Sequence, residues 1–386
     1  MHWPSTPTEH LSSFRPPFCP RRDCTEHHRR TPGYRFRKHA SYSTKRRRGI
    51  PRFLCLTCRR TFSRQAFAVS YYSKRPELLR PVAAGLVAGS ALRQIARSLS
   101  CAPNTVARIS ARLGRHAMLL HAHTLTQLQG RLEEPIAFDH FETFEFTQDY
   151  PFGVATPVGA ESWFVYALDP APHGRGGRVS PAQKSRLRSR PKRATRGRHE
   201  GSTRRVLDQL LELVPPDRPL DLWGDAHPDY ARAVRRHPQR GRIRFSSFPN
   251  PVRGPKGSRR SSAAVARDRA MFAVDLLHKI LRHTLAHHRR KTIAFSRRLN
   301  AAMERLALTA IWRNFVKKRT ERRPCATTPA VWLRLTDRRW DWKRVLSRRL
   351  FPDRVPLPEP WPRLYRRDWT TPLLPANARH DLLRAF

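Results

Sequence analysis

Apolar residues recur at helical spacing through Leu78, Leu79, Val82 and Leu86, again through Leu92, Ile95, Ala96 and Leu99, and a third time through Val106, Ile109 and Leu113. Positions three, four and seven apart share one face of an α-helix, so this stretch predicts three consecutive amphipathic helices. The link SCAP between the second and third is short, and Arg93, Asn104, Thr105, Arg108 and Arg112 supply polar groups on the two helices flanking it. That is helix-turn-helix patterning, with the third helix placed to read a major groove; the alternative is a plain three-helix packing module.

From about Ala137 the period changes. IAFDHFETFEF, FGVATPV and SWFVYALD are short runs rich in aromatic and β-branched residues, joined by turn-rich links, and predict a three-strand antiparallel meander. The segment near 173–203 is rich in Arg, Gly and Pro with almost no large apolar side chains, and is expected to be a mobile basic insert that cannot repay the entropy of folding. Helix, strand, helix and strand then follow at STRRVLDQLLELV, PLDLWGDAH, PDYARAVRR and RIRFSSF, an α/β alternation expected to extend the same sheet. A second basic loop, NPVRGPKGSRRSS, leads into one long helix expected from about Ala264 to His288. The reading is a multidomain α/β protein, divided at 1–68, 69–130, 131–313 and 314–386.

Charge narrows the partners. The chain has 386 residues and carries 77 Lys+Arg against 29 Asp+Glu, a formal net charge of +48. Such an excess, mostly of Arg, favours polyanions, because guanidinium groups fork onto phosphates and release condensed counterions. Double-stranded DNA is the expected partner. The polar start MHWPSTPTEH has no secretory pattern, and the apolar run Val82 to Leu92 is too short to cross a bilayer, so no membrane contact and a cytoplasmic, nucleoid-associated location are expected.

Cys19 and Cys24 are spaced C-x4-C, and Cys55 and Cys58 are spaced C-x2-C. Two such knuckles predict a tetrahedral Zn2+ site in a zinc ribbon over 1–68, with the metal replacing a core that so small a segment cannot build. His27 and His28 are alternative ligands, and Cys101 and Cys325 have no partner at metal spacing. Against this basic background, Asp139, Asp225 and Asp275 each follow a short apolar run, at PIAFD, LDLWGD and MFAVD. Carboxylates gathered at the ends of buried elements predict an Mg2+ site for phosphodiester chemistry. Glu304, in LNAAMERLALTAIW, is the rival third acid, and Asp221 and Glu142 are candidates for supporting roles.

In their order along the chain, CLTCRRTFS, the helix-turn-helix, FDHFETF, SWFVYALD, LWGDAHPDY and DLLHKILRHTLAHHRRKTIAFSR resemble the DDE transposases of small bacterial insertion elements, closest to the insertion-sequence-one family. Asp275, His278 and Arg282, followed by Arg290, Lys291, Thr292, Phe295 and Ser296, stand at the spacing of that family's last motif. Asp275 takes the place of the family's Glu and His278 that of its Asn. The resemblance implies an RNase H-like catalytic domain over 131–313 whose three acids hold two Mg2+ (or Mn2+) ions. Asp139 would bridge both, with Asp225 and the helix acid binding one each. It further implies cleavage and strand transfer at the terminal inverted repeats of an element, by a homo-oligomer on DNA. Arg282, Arg290 and Lys291 are assigned to phosphates near the scissile bond from charge and helical position. The Trp- and Arg-rich segment 314–386 has no chemical reading: its aromatics suit either base stacking or the packing of a small helical extension.

Overall fold

The computed structural model describes residues 14–374 other than 45–46, 193–197, 253, 256 and 324–325; the expectation for Cys325 falls outside them. Its elements are α1 (Thr25–His28), β1 (Phe36–Thr44), β2 (Arg47–Cys55), β3 (Thr61–Ser63), α2 (Leu79–Val87), α3 (Leu92–Ser98), α4 (Pro103–Thr126), β4 (Ile136–Phe144), β5 (Pro151–Gly159), β6 (Asp169–Pro172), α5 (Pro181–Ser189), α6 (Arg198–Leu213), β7 (Leu220–Gly224), α7 (Pro228–Arg235), β8 (Ile243–Ser247), α8 (Ser262–Ala270), α9 (Phe272–Thr284), α10 (Leu299–Ile311), α11 (Pro329–Trp332), α12 (Trp342–Val345) and α13 (Trp361–Arg366). Strands β1–β3 form a small antiparallel sheet. The other five form a mixed sheet in the order β6-β5-β4-β7-β8, with β4, β5 and β6 antiparallel and β7 and β8 parallel to β4.

Strand β4 is buried almost throughout, as a central strand covered on both faces must be. Its alternation sorts the side chains. Phe138 and His140 point to the face covered by α6 and α7, where His140 bonds Tyr230 and Ser202, whereas Asp139 and Phe141 point toward α9, where both meet His278. The third of the predicted helices, α4, is not confined to a separate module. After Asn104 and Arg108 on its exposed first turns, α4 runs into the interior and lies against α10, so closely that a Cβ on Gly114 would sit 2.5 Å from the Glu304 carbonyl oxygen. One buried apolar cluster extends from Val69 through the five-stranded sheet to Tyr365, while a second, smaller cluster gathers around Cys19, Phe53 and Phe67.

Three expectations are corrected. The run SWFVYALD is not the third strand: only Val165 bridges β5, and the ladder begins at Asp169. Val165 N and O face away from β5, where the Asn314 side-chain amide accepts from the one at 2.9 Å and donates to the other at 3.0 Å, while Phe164 O and Tyr166 N on either side bond Gly159 N and Pro157 O of β5. The expected helix from Ala264 to His288 is broken at Met271 (φ −91°, ψ 2°), a fully buried residue that ends α8 and starts α9. Within 173–203, Ser180 and Gln183 close a capping box with Pro181 at the first helical position, so this segment contains the exposed helix α5, and α6 already begins at Arg198.

The segment beyond residue 313 is a strap. Val345 O accepts from His116 of α4, Arg349 donates to Ala66 O, Phe351 packs edge-on against Phe18, Trp361 donates to Leu168 O, and Thr371 donates to Glu145. Trp340 is buried and stacks on Phe315, so it packs the interior; Trp332 is half exposed beneath the Arg319 guanidinium.

Candidate metal and nucleic-acid sites

Cys19 and Cys24 flank the turn before α1, and Cys55 and Cys58 the tight turn after β2, where Arg59 takes a positive φ of 56° and returns its N–H to Cys55 O. Cys19 Sγ lies 3.8 Å from Cys58 Sγ, Cys24 Sγ lies 3.9 Å from Cys55 Sγ, and all four sulfurs fall within 4.8 Å of one another. Four thiolates about 2.3 Å from a tetrahedral Zn2+ are separated by about 3.8 Å, whereas a disulfide needs about 2.05 Å. The group is therefore open to a metal and not oxidised. Burial pushes the Cys19 and Cys24 thiols up; Cys55, despite its own burial, is drawn down to about 7 by backbone amides that begin with Cys58. Among the described residues the group within 4.8 Å is made of the four cysteines, so neither histidine takes the place of a thiolate: His27 donates from Nδ1 to Cys19 O at 2.8 Å and turns Nε2 toward Asp353 at 4.0 Å, and His28 Nε2 donates to Arg22 O at 2.8 Å.

The acids meet at the end of the large sheet. Phe138 pairs with Gly224 as the last rung of the β4–β7 ladder, so Asp139, inside β4, and Asp225, just past β7, are neighbours about 5 Å apart at the backbone. Asp139 Oδ1 accepts from His140 N at 2.7 Å and from Tyr230 Oη at 3.1 Å; Asp225 Oδ1 accepts from His227 N at 2.9 Å. Burial raises the Asp139 carboxyl to about 7, the charges of Asp225 and Asp275 add to that rise, and the His140 and Tyr230 bonds offset part of it. Two neighbouring acids thus act on Asp139 here. The oxygens of the three do not all come within 4.8 Å, however, and Asp275 is held by Arg267 through both oxygens. The break at Met271 permits that grip: on a straight helix, residues eight apart would be displaced by about 12 Å along the axis.

His278 has a definable tautomer. Thr156 Oγ1 gives its only proton to Asp139 O at 2.8 Å, so His278 Nε2, also 2.8 Å from Thr156 Oγ1, must be the donor in that contact. Burial first, with Arg282 nearby, lowers the imidazole to about 3, which keeps it neutral. Nδ1 therefore presents a lone pair 3.7 Å from Asp139 Oδ2.

Other sequence-selected residues do different work. Glu304 is not a third acid of this group: it is 3 % exposed between α4 and α10, where it pairs with Arg115 at 3.2 Å and Arg367 at 3.5 Å. Asp221 pairs across the strands with Arg244. Arg112 does not face solvent for DNA: its guanidinium donates to Val69 O at 2.9 Å and Tyr71 O at 2.6 Å, and burial lowers it to about 10. Arg282 is likewise taken up, by His288 O at 2.7 Å, by Glu142 O, and by the face of Phe141 at 4.3 Å. Arg93, Asn104, Arg108, Arg290 and Lys291 are exposed, and Thr105 is half-buried. Arg93 and Arg97 line an open depression with Cys101 and Pro103 at the α3–α4 turn. The residues that sequence reasoning missed are Tyr230 and Arg267. A Tyr two turns past an acid has no distinctive signal, and the reach of Arg267 depends on an unforeseen helix break.

Among the described residues no helix is long and apolar enough to cross a membrane. No protein-family model, curated protein or solved structure matches this chain.

Proposed function

We propose that the chain is a metal-dependent DNA transposase of the DDE type, with an RNase H-like catalytic domain. The single observation carrying this reading is that Asp139 on β4 and Asp225, just past the parallel strand β7, stand side by side, with Asp275 within electrostatic range on α9. The strand order β6-β5-β4-β7-β8 supports it, because in chain order this is third, second, first, fourth, fifth, with the acids on the first strand, after the fourth and on a following helix. A carboxyl that burial, with two neighbouring acids adding to it, raises to about 7 would be held ionised by a counter-cation, and the donor set of aspartate oxygens fits Mg2+ or Mn2+. Bound there, such ions would supply an activated water or 3′ hydroxyl and neutralise charge on the leaving oxygen.

The protein's own groups set the rest. Tyr230 and the His140 amide fix the Asp139 carboxylate, and the His227 amide fixes Asp225. Neutral His278, its proton committed to Thr156, offers a nitrogen lone pair beside Asp139. Exposed Arg290 and Lys291 are suited to the DNA backbone near the cut, and Arg93, Asn104 and Arg108 to the end sequence. Handling two element ends requires a homo-oligomer on DNA. Supercoiled DNA nicked in Mg2+ or Mn2+ but not in EDTA, with loss of at least a hundredfold in Asp139→Asn and Asp225→Asn, is the expected result; nicking undiminished in both variants contradicts it.

One observation favours a second reading. Because Arg267 already neutralises Asp275, a chain in which that pair never opens would be a sequence-specific DNA-binding protein derived from a transposase. Tight, sequence-selective binding at moderate salt without any nicking identifies that case.

A further inference from the structure

On the face of β4 opposite Asp139, a second group of metal-binding side chains converges. Glu142 Oε2 lies 2.8 Å from His173 Nε2, Glu142 Oε1 lies 2.8 Å from His199 Nε2, and one ligand atom from each of the three falls within 4.8 Å of the others. The His173 and His199 rings are 5.0 Å apart, and His199 also packs edge-on against buried His140. Space for the group is provided by Gly153, which pairs with Glu142 across the sheet: a Cβ there would lie 2.8 Å from Glu142 Oε1 and 2.9 Å from His199 Nε2.

The protons point the same way. His173 Nδ1 lies 2.9 Å from Gly174 O, an oxygen that only accepts, so Nδ1 carries the hydrogen and the neutral ring has its lone pair on Nε2, facing the carboxylate. Two lone-pair atoms at 2.8 Å need a cation between them or a second proton on the ring. A metal-bound histidine usually donates its other ring N–H to a backbone carbonyl in this way.

Position gives the group a purpose. His173 directly follows β6 and His199 is the second residue of α6, so the two histidines stand at the two ends of segment 174–198. That segment contains ten Lys+Arg (175, 178, 184, 186, 188, 190, 192, 193, 196 and 198) and no Asp or Glu. We propose that Glu142, His173 and His199 bind a divalent transition-metal ion of the Zn2+ type, which clasps both ends of this Arg-rich segment to β4, three residues from Asp139. Imidazole nitrogens select Zn2+, Co2+ or Ni2+ over Mg2+. Ligand atoms now 2.8 Å apart need to open to about 3.3 Å around a tetrahedral ion, which small side-chain rotations supply. The clasp does not depend on catalysis at the aspartates.

Co2+ titration of the metal-stripped full chain in excess Mg2+ tests this, because thiolate charge-transfer bands report the four cysteines while a His2Glu site gives visible bands without them. The expected result is two equivalents bound, the non-thiolate one weakened at least tenfold by His173→Gln, by His199→Gln and by Gly153→Ala, and unchanged by Asp229→Asn, which alters the neighbouring His199, His227, Asp229 group. Retained thiolate bands show that each variant is folded; should His199→Gln lose them, His173→Gln, outside every helix and strand, decides. One equivalent in all, a second equivalent indifferent to both histidine substitutions, or one that Asp229→Asn removes, overturns the proposal.

Discussion

The cysteine group and the aspartate group are built on different principles. Four sulfurs sit at tetrahedral spacing on two tight turns, with Phe18, Phe53, Phe62 and Phe67 packed around them, so the ligands form a closed set. The three aspartates are brought to one end of a sheet but are kept apart and partly neutralised by the protein's own donors: Tyr230 and two backbone amides, and for Asp275 the Arg267 guanidinium. A closed group of soft ligands suits a permanent structural ion. An open group of hard ligands, held at the cost of mutual repulsion, suits an ion that comes and goes with its substrate.

Removing metal from the cysteines is the harshest way to break that contrast. Structural zinc is worth on the order of 10 kcal/mol to small modules at neutral pH, so chelation or Cys55→Ser is expected to unfold the region around β1–β3, seen as protease cleavage there. The strap transmits part of the loss, because Arg349 and Arg354 bond backbone carbonyls of this region. A carboxylate outside both groups gives the next largest effect. Glu304→Ala removes the buried carboxylate that pairs with Arg115 and Arg367 and is expected to destabilise the protein by about 3–5 kcal/mol in chemical denaturation while leaving Mn2+ affinity unchanged.

Asp139→Asn is expected to act in the opposite direction. The folded protein holds the Asp139 proton to about 7, well above an ordinary carboxyl, so the native state binds more protons than the unfolded state between about pH 4 and that value. This group's contribution to stability is therefore greatest below about pH 4 and declines as the pH rises toward 7. Replacing it with Asn removes the decline, and should raise stability by about 2–4 kcal/mol at pH 8 in urea unfolding while eliminating DNA cleavage. The smallest effect is expected from Arg267→Gln: freeing Asp275 from a cation should tighten Mn2+ binding about three- to tenfold in a calorimetric titration.

Much of the aspartate end was legible along the chain. β7, α7 and β8 form where PLDLWGDAH, PDYARAVRR and RIRFSSF predict them, because each has clear periodicity and a turn at its end, and Asp225 lies just past its strand as expected. The cysteine spacing is an equally local signal. What could not be read depended on contacts between distant segments. Arg112 and Arg282 look like free positive charges in the sequence, yet backbone carbonyls from other segments take them up. Asn314 takes up the backbone of Val165, 149 positions away, Glu304 meets Arg115 only because Gly114 lets two helices touch, and the strap binds every layer without any periodic pattern of its own. Glu142, His173 and His199 are single residues from three separate segments, and the only sequence hint is a histidine at each end of an Arg-rich run.

The central claim is that Asp139, Asp225 and Asp275 together grip a divalent ion. Titrating Mn2+ into the zinc-loaded full chain, and following the loss of the free-ion paramagnetic resonance signal, measures that directly. The account predicts saturable binding that weakens at least tenfold in each of Asp139→Asn, Asp225→Asn and Asp275→Asn and persists in Glu304→Gln. Binding that survives all three aspartate substitutions, or no binding at all, would contradict it.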